Sequence, residues 1–134
     1  MPGHESDKTS VHLRVFGWAD FNGWMNVMGL SQTSLLSTKT RIEPLDTREA
    51  LDKIMAANVE TYQFKSDVVE GKTKRHASVI IDDVHDISQY YTPEEFISEN
   101  RKGRDDGDIV GYLMGAVQEL KKQLDKVKEK INYE

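Results

Sequence analysis

The sequence predicts an α+β fold: a small β-hairpin with short helices, carrying a long C-terminal coiled-coil helix and assembling as a homotrimer. Three observations predict it. Two runs rich in strand formers, Val59–Phe64 and Ala77–Ile81, flank a polar, glycine-containing stretch and read as a hairpin. Helix-start signals stand at Asp46 and at Thr92. Val110, Leu113, Val117, Leu120, Leu124, Val127 and Ile131 then recur at alternating spacings of 3 and 4, an unbroken a/d heptad pattern.

Composition narrows the functions open to the chain. Its 134 residues allow one domain, or one small domain with an appendage. A formal net charge of −5 argues against a general nucleic-acid binder, whose footprint would be basic. The absence of Cys excludes a disulfide framework, thiol catalysis and thiolate-held zinc. The longest interior aliphatic run is Val79-Ile80-Ile81, so no segment reads as a membrane span. Met1 to Lys8 has no apolar stretch and does not read as a signal peptide. Hydrophobic residues make up 37% of the chain, modest for a small domain, so part of its stability is expected from other subunits.

Residues 1–33 differ from the rest. They hold Trp18, Trp24, Phe16 and Phe21, and Gly17, Gly23 and Gly29 recur every six residues. Val11–Val15 alternates and reads as a short strand, and Trp24–Met28 as a second. This pattern suits either a β-rich fibre or stalk stub or a plain glycine-punctuated hairpin, since three glycines do not establish a repeat. Residues 30–41 are a Ser/Thr-rich connector, which places the domain boundary there and divides the chain into residues 1–33 and 34–134. Asp46-Thr-Arg-Glu49 is a capping-box pattern, and Leu51, Ile54 and Met55 follow on one helical face. Val59–Phe64 alternates as a strand, residues 66–74 read as a turn, and the continuous apolar run Ala77–Ile81 reads as a strand buried on both faces. Thr92-Pro-Glu-Glu95 opens a short helix with Thr at the cap and Pro at the first position. The final helix is expected over about residues 106–131, its 3.5-residue period implying a left-handed supercoil with partner helices. Mixed β-branched residues at a and d are compatible with a trimer. The plainer alternative is an amphipathic helix packed on its own domain. Lys121 to Lys130 is lysine-rich, but without interleaved Arg or aromatics it reads as a solvated flank.

Motifs that carry chemistry are few. No glycine-rich phosphate loop or Walker pattern occurs, and no cofactor or metal is expected. His76 and His85 with Asp82, Asp83 and Asp86 could suggest a metal site, but strand alternation would send them to different faces, and solvated loop residues are the preferred reading. Ser34 with Lys39 remains: a Ser hydroxyl becomes a nucleophile when a base accepts its proton, and a neutral Lys can be that base.

Further blocks follow that pair in order. They are Ser34-x4-Lys39-x2-Ile42, Leu45-Asp46-x4-Leu51-x2-Ile54, Val59-x2-Tyr62-x-Phe64-Lys65, His76-Ala-Ser-Val-Ile-Ile-Asp-Asp-Val84, Pro93 and Ala116-Val-Gln-Glu-Leu120. The ordered set resembles the self-cleaving intramolecular chaperone domains that end phage endosialidases, tailspikes, tail fibres and neck appendages. A related domain lies within the myelin regulatory factor proteins. The family usually has Asp or Asn after the Ser, where Leu35 stands here, and often Gly where Ser78 stands.

The resemblance implies a trimerising domain that aligns its own N-terminal passenger and then severs Thr33–Ser34. Ser34 would be the nucleophile, Lys39 the base, and His76 an orienting or oxyanion-stabilising group. It implies action in the cytoplasm of an infected bacterial host during assembly, with the passenger ending in the virion. A lysine at its ordinary pKa of about 10.4 is less than ~0.1% neutral near pH 7, so a lysine base needs a dry setting. A trimer interface could supply one. Two other readings stand beside this one: a non-cleaving trimerisation or tip domain of a fibre, and a coiled-coil adaptor.

Overall fold

In the computed structural model, residues 13–133 are described, and the chain separates into one unit ending at Thr33 and another beginning at Ser34. Of the first strand expected near the N-terminus, Val11 and His12 lie outside the described residues. Neither Leu13–Val15 nor Trp24–Met28 forms a strand. The reason is physical: residues 13–33 are all exposed, Phe16, Trp18 and Met28 among them, and an apolar hairpin without a surface to pack on is marginal in water.

The second unit is built from Asp46 onward. The Asp46 carboxylate accepts from the backbone N–H of Arg48 (3.0 Å) and Glu49 (3.2 Å) and starts helix α1, Thr47–Ala56. Glu49, expected to reach back to the cap, instead pairs forward with Lys53 at 2.9 Å. Ala50 is fully buried, Leu51 and Ile54 half-buried, while Met55, expected on that face, is exposed. Strand β1 (Val59–Tyr62) pairs antiparallel with β2 (His76–Val79) in the register Val59↔Val79 to Tyr62↔His76. The hairpin expectation holds, with two corrections. Residues 66–74 are not simply a turn, because Lys65–Val69 forms helix α2, closed by Gly71 at φ +78°. Nor is the second strand buried on both faces. With only two strands, the sheet leaves Ala77 exposed and Val79 half-buried.

From β2 the chain returns to the end of α1. The Thr92 hydroxyl donates to the Ile80 carbonyl (2.7 Å), and the Tyr91 amide donates to Asn58 Oδ1 (2.6 Å). Thr92 is thus spent on a strand rather than on a cap, and the expected short helix shrinks to a 3-10 turn, Glu94–Phe96, with Phe96 buried. The loop before it is organised by Asp82, whose side chain is 2% exposed. Its carboxylate accepts from the backbone N–H of Gln89, His85 and Val84, and those bonds hold it well below the usual carboxylate range. Because the folded value is depressed, this contribution is present above the ordinary Asp value of about 3.9 and is lost as pH falls below it. Acid titration should therefore loosen residues 82–91 between about pH 4 and 2, seen as faster amide exchange at Gln89. Asp82→Ala should show the same loosening at neutral pH.

Helix α3 spans Asp106–Tyr133, close to the expected 106–131. Asp105 accepts from the Asp108 amide at its start (3.0 Å), and Asp106 and Asp108 in the first turn complement the helix dipole. Its first half lies against α1. Tyr112 stacks edge-on with Phe96 at 5.5 Å, Ala116 is buried, and the Thr47 hydroxyl donates to Glu119 Oε1 at 2.8 Å. Lys53 links the same elements, bonding Glu95 at 2.7 Å with its ammonium 5.7 Å from the Tyr112 ring centre. The approach closes at Gly115, where an added Cβ would lie 2.7 Å from Leu45 Cδ2 and 3.2 Å from Ala50 Cβ. Gly111, one turn earlier, faces open space. Gly115→Val should cost about 2 kcal/mol by overpacking, whereas Gly111→Ala should gain up to about 1 kcal/mol from helix propensity. Urea-unfolding midpoints shifting in opposite directions would confirm the pair.

The face of α3 that packs on α1 carries Ile109, Tyr112, Gly115, Ala116 and Glu119. The heptad positions lie on another face and are all exposed, from 44% at Leu113 to 65% at Ile131. The plainer of the two readings is thus seen in the single chain. The helix packs on its own body through one face and leaves the a/d stripe uncovered.

Candidate functional site

Ser34 and Lys39 are brought together by one tight turn. Leu35 and Lys39 are extended, and Leu36–Thr38 between them form a 3-10 turn. The Thr38 amide donates to the Leu35 carbonyl (3.1 Å) and the Lys39 amide to the Leu36 carbonyl (3.0 Å). The reversal returns the lysine arm over Ser34, and Lys39 Nζ donates a hydrogen bond to Ser34 Oγ. A spacing of five suits this geometry because a single turn joins two extended residues. In this contact Lys39 Nζ is the donor and Ser34 Oγ the acceptor. Once the amine is neutral, the same contact lets the hydroxyl donate to nitrogen, the first step of activating a Ser nucleophile. Both residues are exposed in the single chain, so nothing among the described residues supplies the dry setting that a lysine base needs.

His76 lies in the strand pair. It stands opposite Tyr62, its ring centre 5.7 Å from that of Tyr62 and 4.9 Å from that of Phe64. Its Nε2 is 3.9 Å from Asp67 Oδ2, and both side chains are largely shielded from solvent. Among the described residues, the turn 36–38 packs on no other element, β2 included. The single chain thus gathers Ser34 with Lys39 and sets His76 among the aromatic residues of the hairpin. Thr33 is the last residue of the first unit, and Ser34 the first of the second. The seven heptad residues line one exposed stripe.

Two residues near these groups were not singled out by the sequence. Asp67 is buried beside His76, and it was hidden because residues 66–74 read as a loop. Thr38 donates its hydroxyl to the Leu35 carbonyl at 2.8 Å, and it was hidden inside a Ser/Thr-rich connector. His85 sits 3.0 Å from Asp82. Among the described residues no three His, Asp or Glu side chains converge as a metal set, and no helix is long and apolar enough to cross a membrane.

Residues 37–95 match the family described as chaperone of endosialidase, Peptidase_S74. The match takes in Lys39, both strands and His76, and it begins just beyond Ser34. No curated relative matches the chain. The family's name is that of a peptidase family, and its description is that of a chaperone.

Proposed function

We propose that this chain, which carries an endosialidase-type intramolecular chaperone domain, trimerises through α3, aligns the polypeptide ahead of Ser34, and then releases itself by one autoproteolytic cut at Thr33–Ser34. The observation that carries this reading is the Lys39–Ser34 hydrogen bond at the junction of the two units. Ser34 Oγ attacks the Thr33 carbonyl carbon while Lys39 takes the hydroxyl proton. The Thr33–Ser34 amide breaks, its nitrogen leaves protonated as a free amine, and an ester joins Thr33 to the Ser34 side chain. Water then hydrolyses the ester, giving a carboxylate at Thr33 and restoring the Ser34 hydroxyl. His76 is assigned the oxyanion role in the assembled site, where a preorganised donor would steady the tetrahedral intermediate.

Assembly serves both halves of the function. Joining three copies raises the effective concentration of the passenger ends and sets their register. This matters because non-local β pairing nucleates slowly. A passenger folded behind a high unfolding barrier would keep its structure after the domain leaves. By the same reading, the work belongs in the cytoplasm of an infected bacterial host, and the passenger passes into the virion.

Denaturing mass spectrometry of the purified full chain tests the proposal. Fragments 1–33 and 34–134 are expected. A chain that stays whole after prolonged incubation as a trimer would replace this reading with that of a non-cleaving trimerisation domain.

A further inference from the structure

We infer that Thr38 is the positioning residue of the proposed cleavage site: its hydroxyl latches the 3-10 turn that holds Lys39 on Ser34. This inference rests on the Ser34–Lys39 reading above.

The turn is short and unsupported. Leu36–Thr38 has no buried residue and, among the described residues, packs on no other element. Leu35 occupies the N-cap position, where Ser, Thr, Asp or Asn would normally accept from the backbone, and no side-chain cap bond forms there. Two backbone bonds remain, from the Thr38 and Lys39 amides. An isolated turn of that kind nucleates unfavourably. The Thr38 hydroxyl adds a third bond, donating to the same Leu35 carbonyl that its own amide reaches, at 2.8 Å. That carbonyl belongs to the Leu35–Leu36 peptide, one residue beyond Ser34. Fixing it holds closed the turn that returns the lysine arm over Ser34, and cleavage depends on that geometry persisting while the Thr33 carbonyl is attacked.

Thr38 touches neither reacting atom. Its contribution is the fraction of time the turn is closed. Loss of one exposed hydrogen bond lowers that fraction by roughly three- to tenfold. The full-length Thr38→Val chain should therefore cleave roughly three- to tenfold more slowly, with oligomeric state and thermal midpoint unchanged. Thr38→Ser, which keeps the hydroxyl, should restore the rate. A second rescue separates turn closure from any direct chemistry of the hydroxyl. In the Thr38→Val background, Leu35→Asp supplies the missing cap acceptor for the Ser37 and residue-38 amides and should also recover cleavage.

Cleavage of Thr38→Val at the wild-type rate, while Ser34→Ala stays whole, would overturn the inference and leave the proposed reaction standing. If the wild-type chain itself never cleaves, the reaction reading fails separately. The turn is then judged by nuclear Overhauser contacts between the Ser34 β-methylene and the Lys39 ε-methylene. Their loss in Thr38→Val and return in the Leu35→Asp double variant support the latch, and their persistence in Thr38→Val sinks it.

Discussion

Ser34→Ala should leave the chain whole at 134 residues under conditions where the wild type is expected to separate into 1–33 and 34–134. Removing a nucleophile from a unit that acts together costs on the order of 10³-fold or more, so no fragment should accumulate over days. Lys39→Ala removes the base rather than the attacking atom, and its loss should be roughly 10²- to 10⁴-fold. Lys39→Arg should be no better than Ala. Arginine keeps the charge and the reach but cannot give up its proton, so it can donate to Ser34 Oγ and never accept from it. That comparison separates a base from a merely cationic neighbour. The contact is exposed and spans one turn, so none of these substitutions should disturb α1 or α3, and thermal midpoints should hold. Fragments of the same size from Ser34→Ala would show that another group makes the cut.

Much of the fold was legible because its signals are local. Asp46 caps α1 as its spacing with Glu49 implied, and α3 begins where acidic residues precede the heptads. Both strands announce themselves through β-branched and aromatic residues. What was not legible depends on partners distant in sequence. Thr92 reads as a cap until the Ile80 carbonyl is found to compete for its hydroxyl. Ala77–Ile81 reads as doubly buried until the sheet stops at two strands. Met55 lies at a plausible helical interval, yet α3 crosses α1 at Ala50 and Gly115 and leaves it outside. The Ser34–Lys39 pair was legible as a spacing, although the spacing has no direction without the 3-10 turn that closes it. His76 could be located just before a strand, but its place as the first residue of β2 and its setting among Tyr62, Phe64 and Asp67 come from strand register and from a helix that the sequence hid.

Leu120→Asp should abolish both assembly and cleavage while leaving the single-chain fold intact. The argument rests on the two faces of α3. Tyr112, Ala116 and Glu119 hold the helix against its own body, whereas Leu120 points away and is 53% exposed. A carboxylate there costs the isolated chain almost nothing. In a three-stranded seam it would place three like charges in one layer, without partners and out of water. Each uncompensated buried charge is worth several kcal/mol, more than the remaining apolar layers of so short a coil can offset. In the uncleavable Ser34→Ala background, sedimentation at micromolar concentration should give a mass near 15.3 kDa with Leu120→Asp and three times that without it. Far-ultraviolet circular dichroism should keep the α1 and α3 signal, reduced only where the last turns of an unpartnered helix fray. Met114→Asp, exposed on the same helix but outside the a/d stripe, is the control and should remain trimeric. The decisive measurement joins the two properties. If drying of the Ser34–Lys39 pair is what assembly provides, the monomeric Leu120→Asp chain keeps that contact and does not cut. A monomer that cleaves at the wild-type rate would break the link between assembly and chemistry. A wild type that sediments as a single chain would remove the trimer itself.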